Sequence, residues 1–200
     1  MLTFSHRRAG FSLIELLVTI SLIGILLVVA APSIRTMMAD GRVRSTAEAL
    51  TAALRITQST AVARSRIAIF AMTNAAPAYS ATAVDGGTNW FSEVLPQGDE
   101  TQASLGTLQT YTVARQYGVT VAGTGTGVTC FNSLGKLSTQ GAGVTGIGLA
   151  CTAPSDGSPI TFAVSRSDAI RKFNVVVYPG GRVRMCDALK TLSYANPDGC

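Results

Sequence analysis

A single uninterrupted apolar run near the N-terminus limits what this chain can fold into. Residues 11–31 contain one ionisable side chain, Glu15, and the short segment 1–10 before them carries Arg7 and Arg8. A helix of this length, rising about 1.5 Å per residue, is roughly 30 Å long, the hydrocarbon thickness of a bilayer. The sequence therefore predicts a membrane-spanning helix whose basic flank lies on the cytoplasmic side.

Glu15 is the unexpected residue of this run, because a carboxylate at mid-bilayer costs about 2.5–3.5 kcal/mol on insertion scales. An ordinary secretory signal places a small-residue cleavage site after the apolar run, but Ala31 and Pro32 follow it without that pattern, and Gly10 precedes it. Residues 10–16 read GFSLIEL. This stretch resembles the class III signal of type IV pilins and type II secretion pseudopilins.

The resemblance implies how the N-terminus is processed. In that family a prepilin peptidase cuts after the glycine and methylates the new N-terminal phenylalanine, which here are Gly10 and Phe11. It also implies that Glu15 acts in assembly, since a buried carboxylate is tolerated when it pairs with a buried amino group of a neighbouring subunit. The protein is then expected first in the inner membrane, single-pass with a periplasmic head, and later in a pilus filament at the cell surface. An uncleaved signal anchor and an accidental charge are the alternatives.

The predicted helix continues well past the apolar run. Beyond Pro32, apolar residues recur at three-, four- and seven-residue spacings as far as Ala61, with arginines on the other faces. Pro32 bends such a helix rather than ends it, since the helical pattern resumes after it. We therefore predict one helix over residues 11–64, made of a transmembrane or filament-core segment (11–31) and an amphipathic continuation (32–66).

After residue 66 the pattern becomes that of short strands separated by Gly-, Asn- and Pro-containing turns. The predicted strands are residues 67–73, 89–94, 108–114, 119–122, 128–131, 160–164, 172–178 and 182–186. Residues 75–87 and 141–157 are expected to be polar loops. A long helix packed on a β-rich head, residues 67–200, with an antiparallel sheet or sandwich is an α+β fold. The resemblance implies that it is the type IV pilin-like fold.

Four cysteines lie in the second half of the chain: Cys130, Cys151, Cys186 and Cys200. None has C-x-x-C spacing, which argues against zinc and favours two disulfides formed in an oxidising compartment. Three connectivities are possible. We favour Cys130–Cys151 and Cys186–Cys200, because each closes a local loop and the second closes the C-terminus of the head.

Histidine content argues against an enzyme. The sole histidine, His6, lies in the leader, so a cleaved chain has none for Ser-His-Asp, Cys-His or His-ligated metal chemistry. The sequence GAGVTG, residues 141–146, matches G-x-G-x-x-G, but strands and glycine-rich turns surround it instead of a βαβ unit. We expect a loop there, no cofactor and no bound metal.

The stretch YPGGRVRMC, residues 178–186, is a candidate binding site. Its turn ends at Gly181, and alternation along the next strand places Arg182 and Arg184 on one face and Val183 on the other. Two guanidinium groups side by side suit phosphate. Residues 160–190 contain six basic side chains against two acidic ones. From charge proximity we add Arg171, Lys172 and Lys190 to the candidate site.

This stretch resembles the GRxR motif of the GspH/FimT family of minor pilins. The likeness covers the N-terminal helix closely, including RVRS at residues 42–45, and the middle of the head only loosely. Some FimT-type members bind DNA through this motif, which implies that Gly181 serves the turn while Arg182 and Arg184 bind double-stranded DNA. Aromatic residues are sparse around the motif, so such binding is expected to be electrostatic, sequence-nonspecific and salt-dependent.

The expected function is a minor type IV pilin that binds DNA for uptake in natural transformation, with other major and minor pilins as partners. One alternative is a minor pilin that primes or caps pilus assembly without touching DNA. Another is a type II secretion pseudopilin. The arginines would then only keep the edge of a sheet soluble and unpaired.

Overall fold

The computed structural model describes residues 12–78, 81–101, 105, 107–112, 118–124, 127–154 and 156–200. The predicted cleavage and methylation residues, Gly10 and Phe11, lie outside these. The chain divides into two compact units, Met1–Met38 and Ala39–Cys200.

The first unit contains the N-terminal part of helix α1 (Leu13–Ala63), which is long and apolar enough to cross a membrane. Its large apolar side chains are exposed, from Leu13 at 79% to Val29 at 73%. Hydroxyl groups within it donate to the helix itself: Thr19 Oγ1 lies 2.8 Å from the Leu16 carbonyl oxygen. Such bonds satisfy polar groups where no water is present.

Pro32 lies inside α1, which confirms the prediction that it does not end the helix. The helix ends at Ala63, after which Ser65 takes a left-handed conformation with φ 52°. The Arg66 N–H donates to the Ala61 carbonyl oxygen at 3.0 Å, which satisfies one of the last helical acceptors.

Among its described residues, the second unit joins the remainder of α1 to eight strands. They are β1 (Ala68–Thr73), β2 (Asn89–Val94), β3 (Thr107–Thr112), β4 (Thr120–Gly123), β5 (Val128–Phe131), β6 (Ile160–Ser165), β7 (Phe173–Val177) and β8 (Val183–Asp187). A one-turn helix, α2 (Ala142–Thr145), lies in the segment predicted to be a loop. The bounds of the eight predicted strands agree with those of β1 to β8 within one or two residues. Residues 113 and 114, which were predicted to end the third strand, lie outside the described residues.

The strands form two antiparallel four-stranded sheets, one in the order β3-β2-β1-β5 and the other in the order β4-β6-β7-β8. One core cluster joins α1 to both sheets, with Leu50 and Leu54 from the helix and Phe70 and Phe162 from the sheets fully or almost fully buried. Phe70 and Phe162 meet edge to face with ring centroids 5.8 Å apart. A smaller cluster covers the other face of the first sheet. The α+β class predicted from the sequence is confirmed, and β8 is an edge strand.

Candidate nucleic-acid interface

The turn that joins β7 to β8 depends on a glycine. Gly181 has φ +92°, and its N–H donates to the Tyr178 carbonyl oxygen at 2.7 Å. A Cβ atom at this position would overlap the carbonyl oxygen of Gly135, which also accepts a hydrogen bond from Gln58 Nε2 at 2.7 Å. The turn is therefore held against a neighbouring loop and helix α1, and only glycine fits there.

The side chains of β8 alternate as the sequence predicts. Val183 is buried in the core shared with α1, whereas Arg182 is exposed and Arg184 is half-buried. The Arg182 guanidinium carbon lies 4.2 Å from the centroid of the Tyr178 ring, so the cation rests on an aromatic face and stays open to solvent.

Arg184 also bonds the C-terminal tail, which the sequence did not indicate. Its Nη2 donates to the carbonyl oxygens of Pro197 and Gly199, at 2.9 and 2.8 Å. These acceptors are neutral, so the positive charge of Arg184 is not compensated by them. The residue both holds the C-terminal tail and adds charge to the surface.

The tail is joined to β8 by a covalent bond and by its backbone. The structure pairs Cys186 with Cys200 and Cys130 with Cys151, the connectivity that the sequence analysis favours. The Asp187 N–H donates to the Asp198 carbonyl oxygen at 2.7 Å, and the Cys200 N–H donates to the Lys190 carbonyl oxygen at 2.9 Å. The tail thus lies beside the last residue of the edge strand.

The other three predicted binding residues lie at the opposite end of the hairpin from Arg182. Lys172 immediately precedes β7, and its carbonyl oxygen accepts a hydrogen bond from the Ala188 N–H at 2.9 Å. Six residue steps separate Lys172 from Tyr178, which amounts to about 20 Å of extended chain. Proximity in sequence therefore does not gather the six residues into one cluster, and they are spread along the hairpin.

Ion pairs remove two of the cations counted in the sequence. Lys190 Nζ pairs with Asp198, and Arg166 pairs with Asp168. Hydrogen bonding to Lys190 lowers the pKa of Asp198, and hydrogen bonding to Arg166 lowers the pKa of Asp168. Among the described residues, the hairpin region keeps four cations outside such ion pairs: Arg171, Lys172, Arg182 and Arg184.

The sequence pattern places Arg55 only among the arginines on the other faces of α1 and does not indicate that it belongs to the site. Arg55 Nη2 donates to the Val183 carbonyl oxygen at 3.2 Å, across 128 positions of sequence. Arg55, Arg182 and Arg184 line one groove of about 630 Å³ between α1 and β8. No local pattern could have shown this, because the contact exists only after the helix packs on the sheet.

Two other features bear on the candidate functions. Glu15 lies in the first turn of α1, in the other compact unit, and is exposed. Within the described residues, no group of three or more His, Cys, Asp or Glu side chains could hold a metal ion.

The N-terminal residues match a known family motif. Residues 5–31 match the prokaryotic N-terminal methylation motif, a stretch that includes Gly10, Phe11 and Glu15. This motif implies processing by a peptidase and assembly with other pilins. No curated protein sequence matches the chain significantly.

Among solved structures, the chain is similar to the type IV minor pilin FimU of Pseudomonas aeruginosa PAO1 in two crystal forms. For one form the identity is 16% and the TM-score 0.44, and the match covers 71% of this chain and 90% of that chain. For the other the identity is 15% and the TM-score 0.46, with 72% and 88% covered.

Proposed function

We propose that this chain is a minor type IV pilin, a structural subunit that is cut after Gly10, methylated at Phe11 and assembled into a filament. The observation that carries this proposal is the N-terminal methylation motif at residues 5–31, which continues into the exposed apolar part of α1. An exposed helix with this composition needs an apolar environment, which the membrane supplies before assembly and neighbouring helices supply in a filament.

Glu15 is the residue that tests assembly separately from processing. A carboxylate in the first helical turn can pair with the α-amino group that cleavage would create on a neighbouring subunit. Glu15→Ala should leave leader cleavage intact and reduce incorporation into sheared filaments to below about a tenth of the wild-type amount. Thr19→Ala, one turn further along, is the matched control and should incorporate normally. Normal amounts of the Glu15 variant in filaments would refute the assembly role.

We further propose that the surface of the β7–β8 hairpin that carries Arg171, Lys172, Arg182 and Arg184 binds the phosphate backbone of double-stranded DNA. Its four cations outside ion pairs follow a path of about 20 Å, roughly six phosphate steps of about 3.4 Å along one strand. Arg182 supplies the exposed guanidinium at the turn, Arg184 lies between, and Arg171 and Lys172 lie at the far end. These cations would contact phosphate groups and not base edges, so the binding is sequence-nonspecific.

A gel shift with the full-length chain in nonionic detergent micelles tests this second proposal. Arg182→Ala combined with Lys172→Ala removes one cation from each end of the row and should weaken binding by about tenfold or more at low salt. Arg64→Ala removes an exposed charge immediately after α1 and should change binding much less. Equal affinities for all three proteins would place the DNA site elsewhere or exclude it.

A further inference from the structure

The groove between α1 and β8 has an apolar base, which phosphate binding does not require. Its helix wall is formed by Glu48, Thr51, Ala52 and Arg55, and its strand wall by residues 182–185. Val183 and Met185 pack against the main core, so the groove has an apolar base with arginines at its rim. We name it the edge groove, because β8 is the last strand of its sheet.

The backbone of β8 is open at Met185, on the edge that faces away from β7. The Tyr178 N–H donates to the Arg182 carbonyl oxygen at 3.0 Å, and the Ala188 N–H donates to the Lys172 carbonyl oxygen at 2.9 Å. By antiparallel alternation the bonds between the two strands therefore run through Arg182, Arg184 and Cys186, whereas Val183, Met185 and Asp187 lie opposite β7 residues without bonding them. At one end of this register the Val183 carbonyl oxygen accepts from Arg55, and at the other the Asp187 N–H donates to the Asp198 carbonyl oxygen. Both groups thus point away from β7. By the same alternation the Met185 N–H and carbonyl oxygen point outward, where no described residue bonds them.

Charge in the edge groove is one-sided. Three of its eight lining residues are arginines, and its one carboxylate, Glu48, is already held by Arg44 at 2.8 Å between Nε and Oε1. Arg55 and Arg182 are exposed and form no ion pair within the described residues. An occupant that adds carboxylates here would complement the arginines.

From these features we infer that the edge groove binds an extended, acidic segment of another protein, which adds a short strand to β8. Its backbone would bond Met185, its apolar side chains would cover Ala52 and Met185, and its carboxylates would meet Arg55 and Arg182. Addition of a strand to an open edge is an established mode of peptide recognition. A duplex suits this site less well, because its phosphates would lose hydration against the apolar base.

Methyl NMR tests this inference on the full-length chain in nonionic detergent micelles, with ¹³C-methyl methionine. The Met185 methyl group reports on the edge groove, and that of Met72, which is fully buried, is the internal reference. The probe is a blocked peptide of alternating valine and aspartate, and its control replaces each aspartate by lysine. We expect the aspartate peptide to shift the Met185 resonance saturably while Met72 stays in place, and the lysine peptide to shift neither.

Two variants locate the site. Ala52→Glu places a carboxylate in the groove at an exposed helical position that tolerates glutamate, itself a good helix former, and it should raise the Kd for the aspartate peptide by about tenfold. Ala63→Glu makes the same change at the exposed end of α1, outside the groove, and should leave the Kd within about twofold. Methylating the peptide's backbone nitrogens on the edge facing β8 should abolish the shift, and methylating those on the other edge should not.

Four results would overturn the inference. They are no Met185 shift, equal shifts with both peptides, a shift with a DNA duplex but not with the aspartate peptide, and a shift that appears on concentrating the protein alone. The third would make the edge groove part of the DNA site, and the fourth would make it a contact between copies of this chain. Loss of peptide binding in Ala52→Glu with unchanged DNA binding would separate this inference from the proposed DNA function.

Discussion

The two ends of the β7–β8 hairpin are held by different kinds of interaction. At the turn end, Gly181 fits against the Gly135 carbonyl oxygen in a conformation that other residues rarely adopt. At the tail end, the Cys186–Cys200 disulfide and the Lys190–Asp198 ion pair hold the chain. The turn end therefore depends on backbone shape, and the tail end depends on side-chain chemistry.

This difference decides which cations are available to a ligand. At the turn end, Arg182 forms no ion pair within the described residues and remains exposed above Tyr178. At the tail end, Lys190 is held in an ion pair with Asp198, and Nη2 of Arg184 bonds two carbonyl oxygens of the tail. A basic residue near a motif in sequence is therefore not equivalent to a cation offered to DNA.

The largest expected effect lies at the turn end. Gly181→Ala would combine positive φ with overlap of the Gly135 carbonyl oxygen, and should lower the free energy of unfolding by about 3 kcal/mol or more. Gly180→Ala is the matched control, because a Cβ there meets nothing within 4 Å, and it should cost less than about 0.5 kcal/mol. Chemical denaturation followed by tryptophan fluorescence measures both. Equal stabilities would show that the contact with Gly135 does not hold the turn.

Removal of the tail disulfide should have the next largest effect. Cys186→Ser with Cys200→Ser opens a loop whose closure is worth about 3 kcal/mol in the chain-entropy model. The free energy of unfolding should fall by about 2–3 kcal/mol. The tail should also open locally more easily, so amide exchange should rise more at residues 187–200 than in β7. Uniformly faster exchange throughout β7 and β8 would contradict the separation between the two ends.

Arg184 distinguishes the effect of charge from the effect of structure where the hairpin contacts the C-terminal tail. Arg184→Lys keeps the cation but removes the planar group that reaches two carbonyl oxygens, which should cost about 1 kcal/mol of stability. Its DNA affinity should stay within about threefold of wild type, whereas Arg184→Ala should lose both stability and affinity. If Arg184→Lys binds DNA as poorly as Arg184→Ala, Arg184 acts through the tail and not through its charge.

The smallest expected effect lies in the Lys190–Asp198 pair. Because Lys190 lowers the pKa of Asp198 below its ordinary value of 3.8, the pair contributes stability above that value, and the contribution is lost as pH falls through the lowered pKa. Asp198→Asn should remove this part of the acid sensitivity and release Lys190 to bind DNA. Acid titrations of both proteins, read by circular dichroism, check the first effect. Superimposable acid transitions would show that the pair does not contribute.

The fold could be predicted because its signals are local in sequence. The apolar run and its helical continuation predict α1, and the bounds of β2 and β5 are confirmed to the residue because turn residues flank them. The disulfide pairs follow from loop closure. The one-turn helix α2 was missed because four residues carry too short a pattern to distinguish it from a loop.

The candidate site was predicted only in part, because side-chain partners are chosen in three dimensions. The alternation of Arg182, Val183 and Arg184 follows from strand geometry alone. The contact of Arg55 with Val183, by contrast, joins residues far apart in sequence and needs the packed helix. Likewise, the Lys190–Asp198 pair depends on how the disulfide-closed tail folds back.

The salt dependence of DNA binding tests the central claim most directly. If Arg171, Lys172, Arg182 and Arg184 each neutralise one phosphate, the logarithm of the binding constant should fall with the logarithm of salt concentration at a slope of about −3 to −4. Arg182→Ala should reduce the magnitude of that slope by about one, and Asp198→Asn should increase it by about one. A slope near zero, or one that neither substitution changes, would contradict the account of the hairpin as a row of phosphate-binding cations.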